Sequence, residues 1–494
     1  MMRLLVLDLR LALPRVLLAL LILVLGAALA LLPTSWAAAL LVGSFVACAI
    51  LLRPQFALCL LAFAVPFGSL RQVSLGPVNV GLSEVLILLL FASWLARMVA
   101  ARRIVVPRAP LVIPLLVFIF AILLSALVTV SLELSLKEWL KWLEVLLVYW
   151  FMADMLDQRW GQWVVWSLLA AGSAEALVGI DQFLRGVGPP GFILYQRFMR
   201  AYGHFAQPNP FAGYLGLTLP LAYALTLEAA DVWRLGAIRA QAGLQRIVAH
   251  SLPIMASAAA FALMSMAMVM SWSRGGWVGA AAALLVITVL RSRRALITAS
   301  AIGLLLAYLL LLGGAQYLPP SLVQRFSDFM PYLAGVDLNA VQVTNANWAV
   351  IERMAHWQAA LGMFTDHPWL GVGMGNYPLA YPQYAVGRWQ DPLGHAHNYY
   401  LNVAAEAGVV GLSAYLVLCG ACLLQAWRVV RRLGAQRHTG PAQGFWRAVA
   451  LGAMGVLVYL SVHNVFDNLF VHSMNVQVAL FLGLLLVADK SLDA

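Results

Sequence analysis

An all-α integral membrane protein is predicted by three features: few charges, long apolar blocks, and basic residues gathered between alternate blocks. Only 10% of the 494 residues are charged and 63% are hydrophobic, where a globular chain carries about 25% charged residues. A soluble protein of this length has more surface than so few polar groups can cover. Many blocks reach the ~20 residues with which a helix crosses hydrocarbon.

The blocks predict spans near 16–32, 36–52, 55–68, 82–99, 111–129, 139–157, 162–184, 211–229, 251–272, 276–290, 295–313, 399–426, 448–466 and 474–488. The third and the last are short enough for half-spans or re-entrant segments, so about 12–14 transmembrane helices are expected at ~20 residues each. Arg3, Arg10 and Arg15 precede the first block as in a signal peptide, but no small-residue cleavage site follows, which predicts a retained helix.

The net charge of +11 is explained by topology rather than by nucleic acid. With both termini cytoplasmic, the inner loops hold most of the basic residues, including Arg97, Arg102, Arg103 and Arg108, Arg291, Arg293 and Arg294, and Arg428, Arg431 and Arg432. This is the positive-inside bias, and the same residues attract anionic membrane lipid. Cys419 and Cys422 form a C-x-x-C within an apolar span, without a neighbouring His or carboxylate; they read as small core residues rather than as a metal site.

The organisation expected is N-terminal transmembrane helices over 1–184, helices carrying two Arg-centred motifs over 185–313, an extracytoplasmic loop over 314–398, and C-terminal helices over 399–494. The loop is rich in aromatics. Its stretch 348–364 places Trp348, Ile351, Ala355, Leu361 and Phe364 at mainly helical spacing, as in an amphipathic helix on the membrane surface.

Ionisable residues beside a span are costly and so suggest function. Arg200 opens R-A-Y-G-H-F-A-Q-P-N-P, where Pro208 and Pro210 set the chain's approach to the next span and Asn209 can satisfy free backbone groups. Arg274 lies in S-W-S-R-G-G-W, a tight outer turn where a planar guanidinium suits phosphate oxygens. For both, snorkelling to lipid headgroups is the competing reading. The run D-H-P-W-L-G-V-G-M-G-N-Y, 366–377, fails as a nucleotide-binding fingerprint and reads as a turn packed on helices.

In G-H-A-H-N-Y-Y-L-N-V-A-A-E-A-G-V-V-G, 394–411, His397 and Asn398 head a span, with Gly408 eleven residues on. On a continuous helix Gly408 falls under His397, roughly 16 Å deeper, and Gly411 extends a face suited to close helix packing. A neutral imidazole there is either a general base or a hydrogen-bonded interfacial side chain. His463, Asn464, Asp467 and His472 cluster where the span at 448–466 emerges; they suit a structural polar network better than a metal site.

Together these segments resemble the O-antigen ligase and O-antigen polymerase superfamily of bacterial multi-pass membrane glycosyltransferases. The carriers are His397-Asn398, nine residues, then Gly408-Val-Val-Gly411; the R-x-x-G-x-F-x-x-P-N block from Arg200 to Asn209; the Ser273–Gly275 turn; and the His367–Asn376 run, all in the family's order over about 195–415. The resemblance implies a GT-C-like fold in the bacterial cytoplasmic (inner) membrane with an extracytoplasmic site. It implies an inverting, metal-independent and cofactor-free transfer of glycan from undecaprenyl diphosphate to an acceptor hydroxyl. His397 would then be the general base. Arg200 and Arg274 would hold the diphosphate, Arg388 would be a weaker third candidate, and Asn209, Asn398, Gly408 and Gly411 would support the site. Many members carry Thr where this chain has His204, which leaves a part for His204 open. The acceptor is a glycan, a lipid or a protein, so ligase, polymerase and protein O-oligosaccharyltransferase share these motifs; the ligase reading is taken first. A transporter is the alternative from another class, opposed by the scarcity of mid-membrane charge and by the lack of a clear pair of broken helices related by an internal repeat.

Overall fold

Apolar blocks become helices because a chain in hydrocarbon must satisfy its own N–H and C=O groups. The computed structural model describes residues 30–68, 73–75, 78–103, 107–239, 244–292, 296–298, 303–305, 314–317, 340–344, 347–435 and 441–492, together with scattered positions between 23 and 338. More than half of expected span 16–32 lies outside the described residues, as does much of 295–313.

Met1–Phe56 and Ala57–Ala494 form two units. In the first, the main described element is α1 (Thr34–Leu52), whose side chains are largely exposed. The second begins within α2 (Gln55–Gly68) and continues through a hairpin, Val73–Leu75 with Val78–Val80, into α3 (Leu82–Ala100). Then follow α4 (Val112–Ser125), α5 (Leu132–Met155), α6 (Gln158–Arg185) and a short hairpin pairing Ile193–Leu194 with Phe198–Met199. The next helices are α7 (Pro208–Gly216), α8 (Leu219–Arg239), α9 (Leu244–Met270) and α10 (Arg274–Arg291). Beyond the long loop's beginning come α11 (Trp348–Asp366), α12 (Tyr377–Tyr384), α13 (Tyr399–Ala435), α14 (Pro441–His463) and α15 (Met474–Lys490).

Among the described residues, 8 helical stretches are long and apolar enough to cross a membrane. The shorter or more charged blocks at 55–68, 111–129, 139–157 and 474–488 are also helical, as α2, α4, α5 and α15. Ile113, Phe120, Leu177, Val269, Leu285 and Val417 stay exposed on these helices. Such faces suit lipid, not water. The fold is thus an all-α, multi-pass membrane protein.

Helix α14 is the hub of the second unit, packing against α8, α10, α13 and α15. Small residues permit this. A Cβ on Gly452 would lie 2.8 Å from the Cα of Leu221, and one on Gly455 would lie 2.8 Å from the Cβ of Pro220. Lipid supplies no hydrophobic drive between helices, so such close backbone approach carries their association. Helix α15 is buried from Met474 to Ala488, as expected of a helix apolar all round beyond its first turn, where Asn475 and Gln477 lie.

Candidate active site

The site begins with the way α14 holds its last turn. Gly216 of α7 and Gly279 of α10 both face the Tyr459 ring, where a Cβ would collide or crowd. The buried Tyr459 hydroxyl donates to Ala212 O at 2.8 Å and lies 2.7 Å from Nδ1 of His463. With its one proton committed to Ala212, the hydroxyl accepts from Nδ1–H and fixes that ring. One turn on, Asp467 N donates to His463 O, so the carboxylate emerges just past the helix end.

His397 meets this carboxylate, its Nδ1 lying 3.4 Å from Asp467 Oδ1. The residue is held in the left-handed region, φ 50°, which costs a non-glycine residue about 1–3 kcal/mol. Its neighbours sustain that conformation. His397 N donates to His395 Nδ1 at 3.0 Å, and Trp357 of α11 donates from Nε1 to His397 O at 3.3 Å. Asn398 caps α13, its Oδ1 accepting from Leu401 N, and Tyr399 N donates to Asn464 O at 2.8 Å. Asn402 Oδ1 accepts from Ala396 N, which ties the His395–His397 segment to α13.

Charge fixes the tautomers. Burial pushes the Asp467 carboxyl up, but the His397 hydrogen bond, then the nearby His397, His395 and Arg353, outweigh it and hold the group well below the usual carboxylate range. An ionised carboxylate only accepts, so Nδ1 of His397 carries a proton, and in the neutral ring the lone pair is on Nε2. Burial and then the neighbouring His397 lower His395 to about 4, against the pull of Asp467. His356, buried on α11 with Nδ1 2.9 Å from the Tyr377 hydroxyl, is lowered to about 4 by burial first and then by His397. Two of the three histidines here are therefore neutral at pH 7.

His395, His397 and Asp467 each offer one ligand atom within 4.8 Å of the others, close enough for a metal ion. Their hydrogen bonds oppose that use. His395 Nδ1 accepts an amide proton, which puts the ring's own proton on Nε2, and His397 Nδ1 spends its proton on Asp467. A proton would have to leave before either nitrogen could bind metal.

Both sequence-predicted arginine motifs reach the same region. Arg200 donates from Nε to Ser271 O at 2.8 Å and from Nη2 to Asn209 Oδ1 at 3.0 Å, while Ala201 N donates to Met270 O. Asn209 was expected to serve the backbone; instead it orients a guanidinium. Ser271 is three residues before Arg274, the first residue of α10, whose N-cap is Ser273. A Cβ on Gly275 would lie 2.9 Å from the His463 ring and 3.1 Å from Phe466 Cβ. The arginine turn is thus packed on the segment that presents Asp467.

Other expected residues have different partners. Arg388 is exposed, 5.2 Å over the Trp348 ring and 6.0 Å over Trp389. His204 binds Glu175, with Nδ1 to Oε2 at 2.8 Å and its own N–H to Oε1 at 2.7 Å. His472 stands edge-on to Phe205, so the cluster foreseen at 463–472 divides: Asp467 joins His397, and His472 does not.

The continuous helix expected from His397 to Gly408 is not present. His397 precedes α13, and Gly408 interrupts it at φ 62°, ψ −162°. The break lets Trp369 approach, since a Cβ at Gly408 would strike its carbonyl carbon and oxygen, and Val409 N donates to Pro368 O at 2.8 Å. The glycine pattern therefore serves a loop against a kinked helix. That loop is the His367–Asn376 run, the packed turn expected. Asn376 is buried and bonds Ser131 N, Thr129 Oγ1 and Ser135 Oγ. Helix α11 forms where expected, but Ile351, Ala355, Ala359 and Met363 make its buried face, while Leu361 is exposed.

Three site residues went unread in the sequence: His395, Arg353 and His356, the last with no local signal beyond its place on α11. His395 was visible in G-H-A-H, two residues before His397. Arg353 of α11 donates from Nε to Phe466 O at 3.3 Å; its signal was an arginine on a helix expected to lie at the outer membrane face.

A family model described as O-antigen ligase matches residues 259–416, which takes in Arg274, α11, His397 and Gly408 but neither Arg200 nor Asp467. No curated protein matches the chain. The matched family is a membrane GT-C-like fold engaged in ligase- or polymerase-type glycan transfer. Residues 259–416, about a third of the chain, are thus similar to the O-antigen ligase family, which supports the resemblance read in the sequence motifs.

Proposed function

We propose that the protein transfers a glycan from undecaprenyl diphosphate to an acceptor hydroxyl, at the outer face of the bacterial cytoplasmic membrane. In this reading Nε2 of His397 takes the proton from the acceptor hydroxyl as its oxygen attacks the anomeric carbon. The bond from that carbon to the diphosphate oxygen breaks, the configuration inverts, and undecaprenyl diphosphate leaves. Arg200 and Arg274 neutralise the charge that develops on the leaving group, electrostatic stabilisation of the usual kind. Asp467 keeps the proton on Nδ1 and supports the imidazolium once formed.

One observation carries the proposal: His397 is hydrogen-bonded to Asp467, on the segment against which the Arg274 turn packs. The basic bias of the alternate loops supports the outward orientation. The family match and the sequence motifs support the lipid-linked donor, with lipid ahead of growing glycan or protein as acceptor.

The test is transfer by purified protein from undecaprenyl-diphosphate glycan to lipid, glycan and protein acceptors. Wild type is expected to transfer and His397→Ala, at equal folding, to lose about 10²–10⁴-fold in rate. Unchanged transfer by His397→Ala would remove the residue from the mechanism, and transfer to a protein or glycan alone would replace the ligase reading.

A further inference from the structure

Arg353 is a fixed cation that neither arginine motif contains. Two donors are spent on backbone: Nε on Phe466 O at 3.3 Å and Nη1 on Ala349 O at 3.0 Å. Those bonds lock the guanidinium plane. Among the described residues Nη2 has no hydrogen-bond partner, and no carboxylate forms an ion pair with Arg353. The adjacent Glu352 accepts instead from Trp348 Nε1 at 3.2 Å. Asp467 is engaged by His397 and by Asn468 N at 2.9 Å. The side chain is only partly buried, so its free edge is open to a ligand.

Its position is defined by Phe466. Arg353 holds the carbonyl of that residue, and Gly275, next to Arg274, packs on its Cβ. Phe466 in turn precedes Asp467, the partner of His397. Arg353 thus stands where the arginine turn and the imidazole–carboxylate pair adjoin. Neutral His356 and His395 add no charge here, so Arg353 and the Arg274 turn supply the cations of the region, and an open guanidinium fork suits phosphate oxygens.

We propose that Arg353 binds a phosphate group of the substrate beside Arg274, a third cation supplied by the loop helix. The proposal rests on the transferase reading above. The phosphate has two sources, the diphosphate of the lipid-linked donor or a phosphate ester on the acceptor. A competing role, capping the Phe466 carbonyl at the end of α14, involves no ligand.

Arg353→Gln separates these roles, because its amide can still donate to Phe466 O while the charge is gone. Arg353→Lys keeps the charge and loses the fork. Binding of farnesyl diphosphate would be measured on the full-length protein in detergent. Transfer kinetics would be measured with an acceptor and with its dephosphorylated form. Arg353→Gln is expected to melt like wild type and to lose about 10–100-fold, the range of a charge-assisted hydrogen bond, with Arg353→Lys between. A loss in farnesyl diphosphate affinity assigns the contact to the donor. A loss in kcat/KM only for the phosphorylated acceptor assigns it to the acceptor. Wild-type values in both assays overturn the proposal, and if Arg353→Gln fails to fold, wild-type values for a second uncharged variant, Arg353→Met, do so. His397→Ala in the same assay keeps the two readings apart: its loss of transfer beside an unaffected Arg353→Gln sinks only the present inference, whereas a wild type that neither transfers nor binds sinks both.

Discussion

Nδ1 of His397 lies 3.4 Å from Oδ1 of Asp467, across 70 residues of sequence. The long bond joins a ring held at φ 50° to a carboxylate one turn past α14. Its consequence is directional: the proton is kept on the nitrogen facing Asp467, and the other nitrogen is left basic.

Asp467→Asn is therefore expected to lower kcat by about 10², the lower end of what general-base assistance supplies, with little change in KM. The amide can turn its NH2 toward Nδ1, which favours the tautomer with the proton on Nε2 and removes the base. Initial rates at saturating donor check this. An Asn variant with wild-type kcat would show that the carboxylate is dispensable for holding the tautomer.

Arg200→Lys keeps the charge but not the plane that spans Ser271 O and Asn209 Oδ1. If the fork positions the cation, kcat/KM falls about 10–100-fold despite the conserved charge. Asn209→Ala is expected to fall in the same direction by less, since Nε still holds Ser271. A lysine variant indistinguishable from wild type would mean that point charge alone suffices at this position.

The sequence made the membrane fold legible because hydrocarbon leaves a chain few options: an apolar block of sufficient length is a helix. His397 was legible through its spacing to Gly408, yet the helix inferred from that spacing is absent, because left-handed backbone at both residues breaks it. The glycine itself was the available signal. Asp467 was noticed only as part of a polar network, since its pairing with His397 depends on how α13 packs on α14, which no local pattern encodes. Arg353 was missed for a related reason. Its surroundings on α11 are unexceptional, and its meaning comes from Phe466, 113 residues away.

Two glycines separate conformational cost from packing cost. Gly186 and Gly408 have φ of 66° and 62°, but a Cβ at Gly186 meets nothing within 4 Å while one at Gly408 meets the Trp369 carbonyl. Gly186→Ala is expected to cost about 1–2 kcal/mol, the left-handed penalty alone. Gly408→Ala adds displacement of the Pro368–Leu370 backbone and should sharply reduce folded yield. Melting in detergent and monodisperse yield compare the two, and equal losses would contradict the close approach at Gly408.

Stability should depend on pH through the buried imidazoles. His356 and His395 are lowered to about 4 in the folded protein, against about 6.5 in an unfolded chain. Between those values the unfolded state binds more protons, so stability rises with pH across the window. The contribution is complete above about 6.5 and is lost as pH falls toward 4. The depressed Asp467 adds a separate contribution, present above the ordinary carboxylate value and lost as pH falls further below it. His356→Phe, which can keep the 4.6 Å stack on Tyr381, removes one titrating ring. Its melting temperature is expected to decline less steeply than that of wild type between pH 6.5 and 4. Parallel declines in the two proteins would show that His356 is not held neutral by its burial on α11.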